Sequence, residues 1–133
     1  SPATTVSGEL ATLGDSVSRT KLLWSGSATL GSTFSVPGIA GCKLISVVCS
    51  NSDANWWPVL CSVGPRHNDE LLVYVNGSLR INNDYRVDIC SKLTLADDWQ
   101  TVHFENGGQF SLVKESGTVT KQKLRVVAIY SLL

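Results

Sequence analysis

The chain has 133 residues, of which 43% are hydrophobic and 17% charged, and its 11 basic and 11 acidic side chains cancel. A chain of this length buries roughly two thirds of its unfolded surface, enough for one domain with a real core. Neutrality argues against a nucleic-acid partner, whose phosphate counterions are displaced by a basic surplus, and the apolar content argues against a disordered tail.

The opening Ser-Pro-Ala-Thr-Thr lacks the basic and apolar regions of a signal peptide. No run reaches the ~18 apolar residues of a membrane span, so the chain reads as soluble, with no membrane insertion. The absence of Met, even at position 1, points to a fragment of a longer polypeptide. Val6, Leu10, Leu13 and Val17 are spaced 4, 3 and 4 apart, the a/d rhythm of a coiled coil. Gly8 and Gly14 each cost a helix about 1 kcal/mol relative to Ala. Residues 1–21 are therefore either a flexible linker or the end of an oligomeric stalk in the form of a short trimeric coiled coil, and residues 22–133 are expected to form the domain.

Beyond Lys21 the period becomes 2. Trp57, Val59, Cys61 and Val63 form one alternating set, and Val87, Ile89, Ser91 and Leu93 form another, as in half-buried strands. Leu44 to Cys49, Leu71 to Val75 and Leu124 to Tyr130 are apolar on both faces, as in strands pressed between a sheet partner and a second body such as another subunit. Turn residues separate these runs at Pro37-Gly38, Gly64-Pro65, Asn82-Asn83-Asp84 and Ser116-Gly117. Asn76-Gly77 has the chemistry of a type I′ hairpin turn, and Asn106-Gly107-Gly108 is expected to join Thr101–Glu105 to Gln109–Lys114 in the same way. Eight to ten short strands predict an all-β fold, an antiparallel sandwich or barrel, of which a jelly-roll-like β-sandwich behind a short N-terminal stalk or linker is the expected form.

Cys42, Cys49, Cys61 and Cys90 lie 7, 12 and 29 positions apart, with no C-x-x-C pair to suggest a zinc site. Reduced core cysteines are expected, as in a protein folded in a reducing cytosol. No metal and no cofactor is predicted.

The segments Leu22-Leu23-Trp24-Ser25-Gly26-Ser27 and Phe34-Ser35-Val36-Pro37-Gly38-Ile39, with the closing Val126-Val127-Ala128-Ile129-Tyr130, resemble the C-terminal tip domain of bacteriophage tail fibres and receptor-binding proteins. The resemblance implies a homotrimer whose β-sandwich heads bind a receptor on the host cell surface, often a saccharide, on a virion assembled from chains folded in the host cytoplasm. It transfers no binding residue, and four cysteines exceed what such a tip would be expected to carry.

Sugar recognition needs an aromatic face for the apolar side of the ring, with carboxylates or amides for its hydroxyls. Asn51 to Trp57 supply both, with Asp53, Asn55 and Trp56 as candidates. Trp57 is in register with the core set and is expected inward, leaving Trp56 for the surface or an interface. Asp98 and Trp99 form a second candidate, although acidic turn residues usually cap backbone amides. Arg66 and His67, in the loop Pro65 to Glu70, form a third, Arg66 having the planar fork suited to an anionic group. Glycoside hydrolysis would need two carboxyl groups about 5 to 10 Å apart across a cleft, and no G-x-S-x-G, H-E-x-x-H or P-loop is present. The expectation is a non-enzymatic fibre tip that adheres to a host glycan. The alternatives are a structural fibre or virion decoration module that drives trimer assembly, and a cellular lectin-like module.

Overall fold

A computed structural model describes residues 20–51, 55–64 and 71–132. The candidates Asp53, Arg66 and His67 and the heptad residues Val6, Leu10, Leu13 and Val17 lie outside the described residues. Among the described residues the fold is almost entirely β. Its strands are β1 (Lys21–Thr29), β2 (Thr33–Ser35), β3 (Leu44–Ser50), β4 (Trp56–Ser62), β5 (Leu71–Arg80), β6 (Tyr85–Leu95), β7 (Thr101–Phe104), β8 (Gln109–Lys114), β9 (Val119–Gln122) and β10 (Arg125–Leu132). The first sheet has the order β1-β10-β3-β4, and the second contains the other six strands. All pairings are antiparallel, and the sheets curl into a half-barrel of sandwich type.

Strand periodicity decides what enters the core. Ile45, Val47 and Cys49 of β3 and Val59 and Cys61 of β4 are buried, as are Val87, Ile89 and Leu93 of β6. Phe104 and Phe110 are the largest fully buried side chains. The alternation of β6 turns Cys90 outward, so it is exposed and not in the core as expected from its apolar neighbours. All four cysteines are free thiols.

The expected hairpin at Asn76-Gly77 does not form. β5 runs straight through both residues, with Asn76 opposite Cys90 and Gly77 opposite Ile89. Val73, Val75 and Leu79 share the inward face of Gly77 and hold the strand on the core. A Cβ on Gly77 would stand 3.5 Å from a Val59 methyl in the other sheet, so the residue faces an adjacent sheet and not a bend. The chain turns instead at Ile81 to Asp84, where the Asn82 side-chain oxygen accepts the backbone N–H groups of Asp84 (2.8 Å) and Tyr85 (3.0 Å), as in an Asx turn.

Asn106-Gly107-Gly108 is not a hairpin either. β7 and β8 both pair with the edge of β6 away from β5, β7 against Leu93–Leu95 and β8 against Tyr85–Cys90. They are two halves of one lane, and residues 105–108 form the excursion between them. The excursion leaves room for the connections between the sheets: a Cβ on Gly108 would lie 2.6 Å from Leu30 Cδ2, 3.0 Å from Ser91 Cβ and 3.4 Å from Leu124 Cδ2. Gly108→Ala should therefore destabilise the fold by about 1–3 kcal/mol through overpacking. Gly107, with nothing within 4 Å of its added Cβ, should accept Ala at no more than a few tenths of a kcal/mol. Urea unfolding of the two variants checks the contrast, and equal midpoints would contradict this packing.

The outer faces of the two sheets differ in chemistry. On the second, Ser78 and Arg86 bind the Asp88 carboxylate, Thr94 reaches Glu105 and Thr33 reaches His103. Those hydrogen bonds, Ser78 foremost, hold the Asp88 carboxyl below the usual carboxylate range. On the first, the cross-strand row Leu22, Tyr130, Ser46 and Leu60 is followed by Leu132 and Leu44, and then by Ala128, Val48 and Pro58. Val48, Val127 and Ala128 form a small buried cluster there with Tyr130. Arg125 is the one charged residue at an outward position of that face among the described residues.

Candidate functional site

Strand direction assigns the loops to two ends of the sandwich. At one end Lys21 opens β1 beside Ser131 of β10, β3 begins, β4 finishes and the turn 96–100 joins β6 to β7. At the other, β3 finishes, β4 begins, and the turns β5–β6 and β8–β9 close their strands. A cleft of about 320 Å³ opens at this far end between the sheets.

Its floor is apolar. Trp57 and Leu112 pack against the core, and the Trp57 ring lies 5.2 Å from that of Phe110 at an interplanar angle of 53°. Trp56, the next residue of an edge strand, takes the opposite side of the backbone and is 62% exposed, as expected from the alternation. Ile81 from the β5–β6 turn and Tyr85 at the start of β6 complete the apolar walls.

The rim is made of carboxamides. Asn51, only 4% exposed, donates from its Nδ2 to Gln122 Oε1 of β9 and ties the two sheets together. Asn82 faces the same space with its oxygen already engaged by backbone N–H groups, and Asn55 stands exposed beside Trp56. No described lining residue carries a charge at neutral pH. Lys114 stands with its Nζ 5.8 Å from the centroid of the Tyr85 ring, in a neighbouring depression that also contains Asp84 and Glu115.

Asp98 and Trp99 are at the opposite end, so the two described candidate pairs do not converge on one site. Asp98 works as a turn cap: its Oδ1 accepts the N–H groups of Gln100 (3.0 Å) and Thr101 (2.8 Å), and its Oδ2 accepts the Thr101 hydroxyl. Those bonds, the Thr101 hydroxyl first, hold its carboxyl below the usual range. Trp99 is 45% exposed and has φ 62°, the only positive value among described residues other than glycine. That left-handed conformation costs a bulky residue about 1–2 kcal/mol, and the capped turn enforces it.

The structure places Asn51, Asn55, Trp56 and Trp57 of the segment singled out in the sequence on this cleft, and the sequence gives no sign of the residues that other strands bring to it. Asn82 was legible only as a turn former. Tyr85, Leu112 and Gln122 come from three strands whose meeting at one end depends on sheet order. Among the described residues no group of three or more His, Cys, Asp or Glu side chains could hold a metal ion.

Other depressions are less suited to a small ligand. One of about 400 Å³ lies on the outer face of the second sheet beside Tyr74, Asn76, Lys92 and Glu105, and is not built between two sheets. No protein-family model, no curated protein and no solved structure matches the chain.

Proposed function

We propose that the chain is the non-enzymatic tip of a bacteriophage tail fibre, a homotrimeric head that adheres to a saccharide on the host surface. The observation that carries this reading is the cleft with Trp56 on its wall, at the end of the sandwich opposite Lys21. If residues 1–21 continue into a stalk, the cleft lies at the distal end, where a receptor is met. The resemblance to fibre tips in Leu22–Ser27, Phe34–Ile39 and Val126–Tyr130 supports the same reading. Adhesion would be multivalent, three weak sites on one rigid head gaining about 100-fold or more in avidity without a new contact.

The nearly uncharged outer face of the first sheet favours a second reading, in which the module serves trimer assembly alone. Obligate interfaces are apolar in this way. Light scattering of the chain should give a trimer, and Leu60→Glu, at a residue 66% exposed on that face, should shift it to monomer with an unchanged circular dichroism spectrum. A wild-type monomer would count against both readings. A trimer that binds neither glycans nor host cells would leave only assembly.

A further inference from the structure

We infer that the Trp56 cleft takes an uncharged pyranose, neutral or N-acetylated, and rejects acidic sugars. This rests on the adhesive reading and specifies the ligand of the same site. The polar atoms define the preference. Asn82 Oδ1 is occupied by the N–H groups of Asp84 and Tyr85, and Gln122 Oε1 by Asn51 Nδ2. Both carboxamides therefore keep their NH₂ groups for a ligand, and Tyr85 adds a hydroxyl that can donate or accept. These are neutral donors, matched by hydroxyl and acetamido oxygens.

A carboxylate or sulfate entering the cleft would lose hydration without gaining a cationic partner among the described lining residues, a cost that neutral amides do not offset. A cation would find no carboxylate among the described lining residues. The apolar side of a pyranose needs a flat exposed ring, and Trp56, 62% exposed at the edge of the cleft, is the residue assigned to that role. The volume of about 320 Å³ falls at the lower end of the range for small-molecule sites, enough for a short saccharide terminus.

The test uses the full 133-residue chain and free sugars. Methyl glycosides of glucose, galactose, mannose and N-acetylglucosamine are titrated beside N-acetylneuraminic acid and glucuronic acid, with ligand-observed NMR and tryptophan fluorescence as readouts. At least one neutral sugar should bind at millimolar concentration or below, and the two acids should bind at least tenfold more weakly. Trp56→Ala should weaken the neutral sugar tenfold or more, while Trp56→Phe should retain most binding. Gln122→Glu keeps the acceptor for Asn51 but removes the donor and adds a charge, and should weaken binding severalfold. Tyr74→Ala, on the outer face of the second sheet, should change nothing.

Preference for an acidic sugar, or loss of binding in Tyr74→Ala but not in Trp56→Ala, would overturn the assignment and leave adhesion intact. So would adhesion to cells that survives periodate treatment of their glycans but not protease. Absence of binding both to sugars and to cells would overturn the adhesive reading itself.

Discussion

Phe110→Ala is expected to destabilise the domain by about 3–5 kcal/mol, the range for deleting a fully buried aromatic ring from a packed core. Phe110 is 1% exposed, and its ring supports Trp57 from below, so the cavity would open beneath the floor of the cleft. Its backbone pairs with Ile89 on one side and Gln122 on the other, which limits collapse of the surrounding strands into the space. With a urea slope of about 1–3 kcal/mol per molar, the unfolding midpoint should fall by roughly 2 M. Phe110→Leu, which keeps more of the volume, should cost less. It also provides a folded variant in which a displaced Trp57 can be followed by fluorescence and sugar binding. A loss below about 1 kcal/mol in Phe110→Ala would mean that the floor is not packed as described.

Alkaline pH should destabilise the protein through two thiols. Burial pushes the Cys49 and Cys61 thiols up to about 12, whereas a thiol in the unfolded chain ionises near 9.0. Between those values the unfolded chain has released protons that the folded chain retains, so each increase in pH favours unfolding. The contribution is fully present below pH 9 and is lost as pH rises through 12. Where both thiols are ionised only in the unfolded chain, stability should fall by about 3 kcal/mol per pH unit. Urea unfolding between pH 7 and 11 measures the slope, and the double variant Cys49→Ala/Cys61→Ala should be flatter by that amount. An unchanged slope would sink the assignment to these thiols. In the native protein at neutral pH, a thiol reagent should modify exposed Cys90 first and reach Cys49 and Cys61 only on unfolding.

The parts of the fold set by one strand's own pattern were legible before the structure. Alternation separated Trp57 from Trp56 and selected the inward residues of β6, because a strand with one face on a core leaves a period-2 record. The glycine-containing turns were less legible, because the same dipeptide answers different needs. Gly77 lies between the inward-facing Val75 and Leu79 and under a Val59 methyl, and Gly108 admits two leucines from the connections between sheets. Neither close approach can be read from neighbouring residues. The cleft was half legible for a related reason: Asn55 and Trp56 are adjacent to one another in sequence, but the partners that complete it arrive through sheet order.

The doubly apolar patterns of β3 and β10 have a counterpart within the chain itself. Val48, Val127 and Ala128 bury one another on the outer side of the first sheet, while Leu22, Leu44 and Leu60 remain exposed around them. A strand can thus be apolar on both faces with only one face in the main core.

The position of β1 has a mechanical consequence. It is an edge strand that pairs only with β10 in the first sheet, and its first residue lies at the end of the sandwich opposite the cleft. A pull between Lys21 and a ligand held in the cleft would run nearly parallel to the strands. It would slide β1 along β10 and load the cross-strand hydrogen bonds together, whereas a pull across the sheet would open them one pair at a time. The same ladder that closes the fold would then oppose unfolding of the domain under tension.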